Sequence, residues 1–197
     1  MTEDVIHIVD DDDAVRDALA YLFRSVGHAT KTYVSAEAFL ADGGVAASGV
    51  AIIDIRMGEM SGLDLHRQLK EMSSLLPVIF LTGHGDVPLA VEAIKNGAYD
   101  FLEKPFNDGK LLQIVDKALA DAREARSQQI DFAARGERLN SLSAREKQVL
   151  PLLIAGKPNK VIAAELNIAV RTVEVHRSRV LTKMGVKSVV ELAGMLR

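Results

Sequence analysis

Cysteine is absent from all 197 residues, which excludes disulfides and thiolate-bound metals. No apolar run approaches the ~20 residues that a membrane span needs. The first residues, Met1-Thr2-Glu3-Asp4, are acidic where a secretory leader would be basic. No internal repeat or low-complexity tract interrupts the chain. A glycine-rich phosphate loop is missing too, so a nucleotide-binding reading fails. What remains is a folded protein with no membrane partner, expected in the cytoplasm. Its 48% hydrophobic and 26% charged residues are ordinary for one.

The net charge of −3 conceals an asymmetry. Residues 139–197 hold ten Lys and Arg against four Asp and Glu, a net of +6, which leaves −9 on residues 1–138. An acidic front and a basic back point to two domains with different partners, the basic one suited to nucleic acid.

The front half alternates apolar runs with amphipathic ones. Strands are expected at 5–9, 29–33, 50–53, 78–81 and 98–102. Helices are expected at 15–26 with Gly27 behind it, after Ser35, at 62–72, at 86–96 closed by Gly97, and from Asn107. Strands alternating with helices predict an α/β fold with a five-stranded parallel sheet. Continuous apolar strands agree, because such a sheet is covered on both faces. The last helix runs on into polar, helix-favouring sequence, read as a helical or partly mobile linker. The back part predicts four short helices in an all-α helix-turn-helix pattern. Ser143 with Glu146 and Ser188 with Glu191 form capping-box patterns, and Pro158 suits a helix's first turn. The domains are drawn at 1–122, 123–139 (linker) and 140–197.

Ligands of an open parallel sheet bind at the carboxyl ends of its strands. There stand Asp10, Asp11, Asp12 and Asp13 after the first strand, Asp54 after the third, Thr82 after the fourth and Lys104 after the fifth. Taken singly, each has a bland explanation: Asp12 or Asp13 starts a helix, Asp54 is a turn residue, Lys104-Pro105 is a loop. Together on successive strand ends they make a chemical set. Neighbouring carboxylates repel unless a cation lies between them, and Mg²⁺ suits such oxygen ligands. A carboxylate can attack phosphorus, while an ammonium and a hydroxyl steady the phosphoryl oxygens.

In this order, Val9-Asp10-Asp11, the run Asp54-Ile55-Arg56-Met57-Gly58-Glu59-Met60-Ser61-Gly62, Thr82-Gly83-His84-Gly85 and Lys104-Pro105-Phe106 resemble the receiver domain of bacterial response regulators. The resemblance implies a flavodoxin-like fold. It implies that Asp54 accepts a phosphoryl group from a sensor histidine kinase, with Thr82 and Lys104 contacting that group. Asp11 and Asp54 would bind Mg²⁺, with Asp10 in support and the Arg56 backbone carbonyl as a further ligand. Thr82 and Phe101 would be the switch residues. Many receivers have proline where this chain has Gly58, so a looser loop is expected there. Arg56 and His84 are candidates for setting the phosphate lifetime.

The back part has its own likeness. Leu142-Ser143-Ala144-Arg145-Glu146, Gly156-Lys157-Pro158-Asn159-Lys160 and Arg171-Thr172-Val173-Glu174-Val175-His176-Arg177 resemble the LuxR-type helix-turn-helix. With the receiver, the chain is similar to regulators of the FixJ type. An α-helix fits the major groove of double-stranded DNA and reads it with its early residues. The expected contacts are Arg171, Thr172, Glu174, Val175, Arg177, Ser178 and Arg179. Lys157, Asn159 and Lys160, at the preceding helix start, are placed for phosphate. Val161, Ile162, Leu166, Ile168, Val173, Val180, Leu181 and Met184 are expected to form the core, with His176 as packing. Ala169 replaces the serine cap common in relatives.

The implied protein is a transcription regulator, more in keeping with activation, that forms a homodimer on phosphorylation. The face around Val91, Lys95 and Phe101 is the expected dimer surface, and RNA polymerase is a further candidate partner. It is not an enzyme beyond its own phosphoryl transfer and dephosphorylation. Two alternatives compete. A phosphohydrolase of the haloacid dehalogenase type would want a second Asp two residues after the nucleophile, where Arg56 stands. A phosphate-independent dimerisation module would not need the full set of Asp11, Asp54, Thr82 and Lys104.

Overall fold

The computed structural model describes residues 4–83 and 87–196. They divide into two compact units, Met1–Ser127 and Gln128–Arg197. The first unit holds β1 (Val5–Val9), α1 (Asp13–Ser25), β2 (Ala29–Tyr33), α2 (Ala36–Ala41), β3 (Gly49–Asp54), α3 (Gly62–Glu71), β4 (Val78–Thr82), α4 (Val87–Lys95) and β5 (Asp100–Glu103). Helix α5 (Asp108–Asn140) follows as one continuous helix through the segment expected to be a linker.

The five strands form one parallel sheet in the order β2-β1-β3-β4-β5. Side chains alternate across it with period two. Val9, Ala51, Ile53 and Phe80 pack on one face with Phe39, Leu65, Leu69 and Ala93. Ile6, Ile8, Ile52, Ile79 and Leu81 pack on the other with Leu19, Phe23, Leu111 and Val115. All six residues of β3 are buried, as expected for the strand with neighbours on both sides and helices on both faces.

Local chemistry sets the helix starts. The Asp12 carboxylate accepts the Ala14 and Val15 N–H groups and caps α1, with Asp13 in its first turn. Ser35 and Ser61 cap α2 and α3 in the same way. Strand β5 starts at Asp100 rather than at Ala98, because the Ala98 N–H is spent on the Ala93 carbonyl at the end of α4. Asp86, the expected first residue of α4, lies outside the described residues. Gly62 packs against the end of β3, where a Cβ would collide with the Asp54 carbonyl and crowd Ile53. At Gly58, by contrast, a Cβ would meet nothing within 4 Å and φ is not positive, so the backbone there does not need glycine.

The second unit holds α6 (Ala144–Ile154), α7 (Asn159–Leu166), α8 (Val170–Met184) and α9 (Val189–Met195). The capping box of Ser143 and Glu146 is fully formed. The second is half-formed: Ser188 accepts the Glu191 N–H, but the Glu191 carboxylate reaches the Lys187 N–H instead. Pro158 is the N-cap of α7 rather than a first-turn residue. Pro151 lies inside α6, flanked by buried Val149 and Leu153, whose burial offsets the lost backbone bond. The core comprises Val149, Leu153, Ile162, Val173, Val180, Met184 and Leu192, with Leu166, Ile168 and Leu181 packed against it. Val161, expected inside, is 42% exposed. Ile162 and Ala163 are the residues this short helix buries, and Val161, about 100° before Ile162, lies at the edge of that stripe.

Ala169 precedes α8 with extended backbone and no side-chain cap. Ala169→Ser should therefore stabilise the second unit by about 1 kcal/mol, read as a shift in its urea midpoint. Gly62→Ala should destabilise the first unit by roughly 1–3 kcal/mol. An unchanged midpoint there would show that β3 and α3 separate freely.

Candidate functional site

Because the strands run parallel, their carboxyl ends share one edge. There β1 and β3 are neighbours, paired at Val9 and Ile53, which sets the next residues, Asp10 and Asp54, side by side. Both are buried, at 2% and 9% exposure. Lys104, just beyond β5, extends its ammonium between them. Its Nζ lies 2.5 Å from Asp54 Oδ1 and 3.0 Å from Asp10 Oδ2. The other carboxylate oxygens are held by backbone: Asp54 Oδ2 accepts the Arg56 N–H at 2.7 Å, and Asp10 Oδ1 accepts the Asp12 N–H at 2.9 Å.

Charge here is out of water, and the groups respond. Burial pushes the Asp54 carboxyl above its usual range, against the pull of Lys104. For Lys104, burial works toward the neutral amine, but its bonds to Asp54 and Asp10 outweigh it and hold the ammonium above its ordinary value. The two partners thus move in opposite senses with respect to their pairing. Lys104 is a charged donor to both carboxyl groups.

Thr82 ends β4 with its side chain 1% exposed and its Oγ1 without a hydrogen-bond partner among the described residues. An orphaned buried hydroxyl is costly and marks a place where a ligand oxygen would be accepted. The Lys104 N–H donates to the Thr82 carbonyl at 2.7 Å, tying the two strand ends together. Phe101 is half-buried on β5, in register with Phe80, and packs against the core on the α2–α4 face. Asp11 is exposed beside the pocket. Among the described residues no three acidic or imidazole groups close around a common point. Two or three carboxylates and a carbonyl nevertheless match Mg²⁺, which keeps several waters and needs few protein ligands. His84 lies outside the described residues. Val91, 42% exposed, and Lys95 lie on the open side of α4.

Arg16, which carried no flag in the sequence, is part of this site. It is 7% exposed, donates to the Asp10 carbonyl at 2.6 Å and pairs with Asp13. Its position one helical turn beyond Asp12 and Asp13 was the signal available.

In the second unit, Arg171, Thr172, Glu174, Val175, Ser178 and Arg179 are exposed on α8, and Lys160 is exposed on α7. Arg177 is half-buried, with Nη1 3.4 Å from Asn159 Oδ1. Lys157 is engaged by the Glu165 carboxylate at 2.6 and 2.9 Å. His176 is half-buried with its Nδ1 inside the fold, as a packing residue would be. The residues expected at DNA therefore fall on one helix face and the start of the helix before it.

Known proteins match both units. Residues 6–116 match the response regulator receiver domain, and residues 140–196 match the bacterial regulatory proteins of the luxR family. The transcriptional regulatory protein FixJ of Rhizobium meliloti (strain 1021) is 46% identical over 195 residues, covering 99% of this chain and 96% of that protein. The C4-dicarboxylate transport transcriptional regulatory protein DctR of Rhodobacter capsulatus is 49% identical over 194 residues, covering 96% and 98%. Among solved structures, response regulator StyR is similar with a TM-score of 0.94 at 38% identity, covering 99% of this chain and 98% of that one. Full-length FixJ from B. japonicum is similar with a TM-score of 0.62 at 42% identity, covering 99% and 96%. With both units matched and full-length relatives at this identity, the chain belongs to the response regulators, its receiver domain joined to a LuxR-type DNA-binding domain.

Proposed function

We propose that this response regulator is switched by phosphorylation of Asp54 and acts on transcription as a DNA-bound dimer, in keeping with activation. The observation that carries the reading is the Lys104 ammonium set between Asp54 and Asp10, beside the orphaned Thr82 hydroxyl. A sensor histidine kinase supplies the phosphoryl group. Asp54 attacks phosphorus, the N–P bond of the donor phosphohistidine breaks, and the imidazole leaves as an acyl phosphate forms. Lys104 and Thr82 then bind the phosphoryl oxygens. Asp11, Asp54 and the Arg56 carbonyl, with Asp10 in support, would hold Mg²⁺, which when bound supplies positive charge to those oxygens. No external substrate is turned over.

Thr82 moving toward the phosphoryl group leaves space that Phe101 takes, and the α4–β5–α5 face with Val91 and Lys95 then dimerises. A dimer offers two copies of α8 to two half-sites. Arg171, Thr172, Glu174, Val175, Arg177, Ser178 and Arg179 read DNA, while Lys157, Asn159 and Lys160 hold phosphates, with RNA polymerase engaged at the promoter. The division into 1–122, 123–139 and 140–197 belongs to the same reading. No described helix is long and apolar enough to cross a membrane, and we place the protein in the cytoplasm.

Acetyl phosphate with Mg²⁺ should add one phosphoryl group to the wild-type protein and none to Asp54→Asn, by intact mass, with a shift to dimer on size exclusion. A wild-type protein that gains no mass yet binds DNA would make the receiver a phosphate-independent module. At the DNA, Lys160→Ala should weaken binding to all duplexes alike and lower the salt slope by about 0.9, the share of one phosphate contact.

A further inference from the structure

One lysine of α8 is already spoken for inside the domain. Lys183 Nζ lies 2.7 Å from Glu146 Oε2 and 2.9 Å from the Ser141 carbonyl. Glu146 stands in the first turn of α6 and is only 2% exposed. The same Oε2 accepts the Ser143 N–H at 2.8 Å, closing the capping box. The hydrogen bond from Lys183, backed by that from Ser143, holds the Glu146 carboxyl below its ordinary range, so it is ionised at neutral pH. Ser178, Arg179 and Thr182 flank the pair along an open cleft of about 450 Å³.

We propose that Glu146 and Lys183 are a positioning pair for DNA recognition, fixing how α8 presents its reading face. The inference rests on α8 being the helix that reads DNA. Val173, Val180 and Met184 bury the inner face of α8, and its other polar ties are Arg138 to the Met184 carbonyl at 3.2 Å and Arg177 to Asn159 at 3.4 Å. The charged bonds from Lys183 have defined direction and tie the C-terminal half of α8 to the capped start of α6. Bidentate or close base contacts from Arg171, Val175 and Ser178 depend on that orientation. Lys183 stays with Glu146 when DNA arrives, because its departure would strand a buried carboxylate. It therefore adds no counterion release of its own, unlike the exposed Lys160.

The test uses the full-length protein and two duplexes: one enriched by the wild type from a random-sequence pool, and one of random sequence. Lys183→Met and Glu146→Gln are measured well below their thermal midpoints, with folding checked by circular dichroism. Both should lose about tenfold in affinity for the enriched duplex, roughly what one good base contact discriminates. Affinity for the random duplex should change less than about twofold, and the salt slope should stay at the wild-type value. Lys183→Arg, which keeps the charge and the donors, should recover the specific affinity. A salt slope lowered by about 0.9 would make Lys183 a phosphate contact and overturn the proposal. So would folded variants that keep wild-type discrimination, which would leave the pair a stabiliser of the fold alone. Arg171→Ala serves as the control: if it too leaves discrimination intact, the assignment of α8 as the reading helix has failed, a separate result from the first two.

Discussion

Two carboxyl groups sharing one ammonium is the constraint on which the receiver unit is built. Asp10 and Asp54 are brought together by the β1–β3 pairing and buried there, where water cannot separate their charges. Lys104 supplies a cation to both, and the strand order decides how it gets there. Lys104 leaves β5, two strands away from β3, and must reach past β4. A flexible four-carbon stem spans that gap, and its tie from the Lys104 N–H to the Thr82 carbonyl anchors the base of the reach. One ammonium serves both carboxyl groups, since the Arg16 guanidinium is engaged by the Asp10 carbonyl and by Asp13, and the pocket is left short of positive charge. That shortage suits a divalent ion, and an orphaned hydroxyl beside it suits a phosphoryl oxygen.

The proposed link from charge to shape runs through the pleat. Phe80 and Thr82 point to the same side of β4, because side chains two apart share a face. Phe101 pairs with Phe80 across the β4–β5 ladder, so it stands on that side too. A movement of Thr82 therefore opens or closes space on the face where Phe101 packs. Had the register slipped by one residue, Phe101 would point to the α1–α5 side, and the hydroxyl and the ring would have no common volume.

Much of the fold, and the residues that meet at the strand ends, is legible in the sequence. The inner strands of the sheet could be read because both their faces are covered, which leaves uninterrupted apolar runs such as Val78-Ile79-Phe80-Leu81. Asp10, Asp54, Thr82 and Lys104 could be read because strand ends in a parallel sheet converge. What could not be read depended on single side-chain or backbone bonds. Ala98 looks like a strand residue, but its N–H closes α4. Val161 looks like core, but α7 is only eight residues long and buries a narrow stripe. Glu191 looks like half of a capping box, yet its carboxylate chooses the Lys187 N–H. Arg16 and the Glu146–Lys183 pair were hidden for another reason: a charged residue on a helix is usually solvated, and only packing shows that these are not.

Each unit thus contains a lysine bonded to a buried carboxylate, and the difference between the two is the useful contrast. Lys104 divides its bonds between Asp54 and Asp10, so one positive charge faces two carboxyl groups even though each also accepts a backbone N–H. In the proposed function such a cluster rearranges when the phosphoryl group arrives, because the incoming charge changes which bonds are best. Lys183 has a single carboxylate, Glu146, which is further satisfied by the Ser143 N–H, while Ser141 takes another of its protons. That cluster is balanced, and nothing is gained by opening it. The receiver places its unbalanced cluster at the carboxyl end of the sheet, and the helical unit places its balanced pair at the start of α6. In the proposed function, one ammonium to two carboxyls marks the site that changes, and one to one marks the site that holds still.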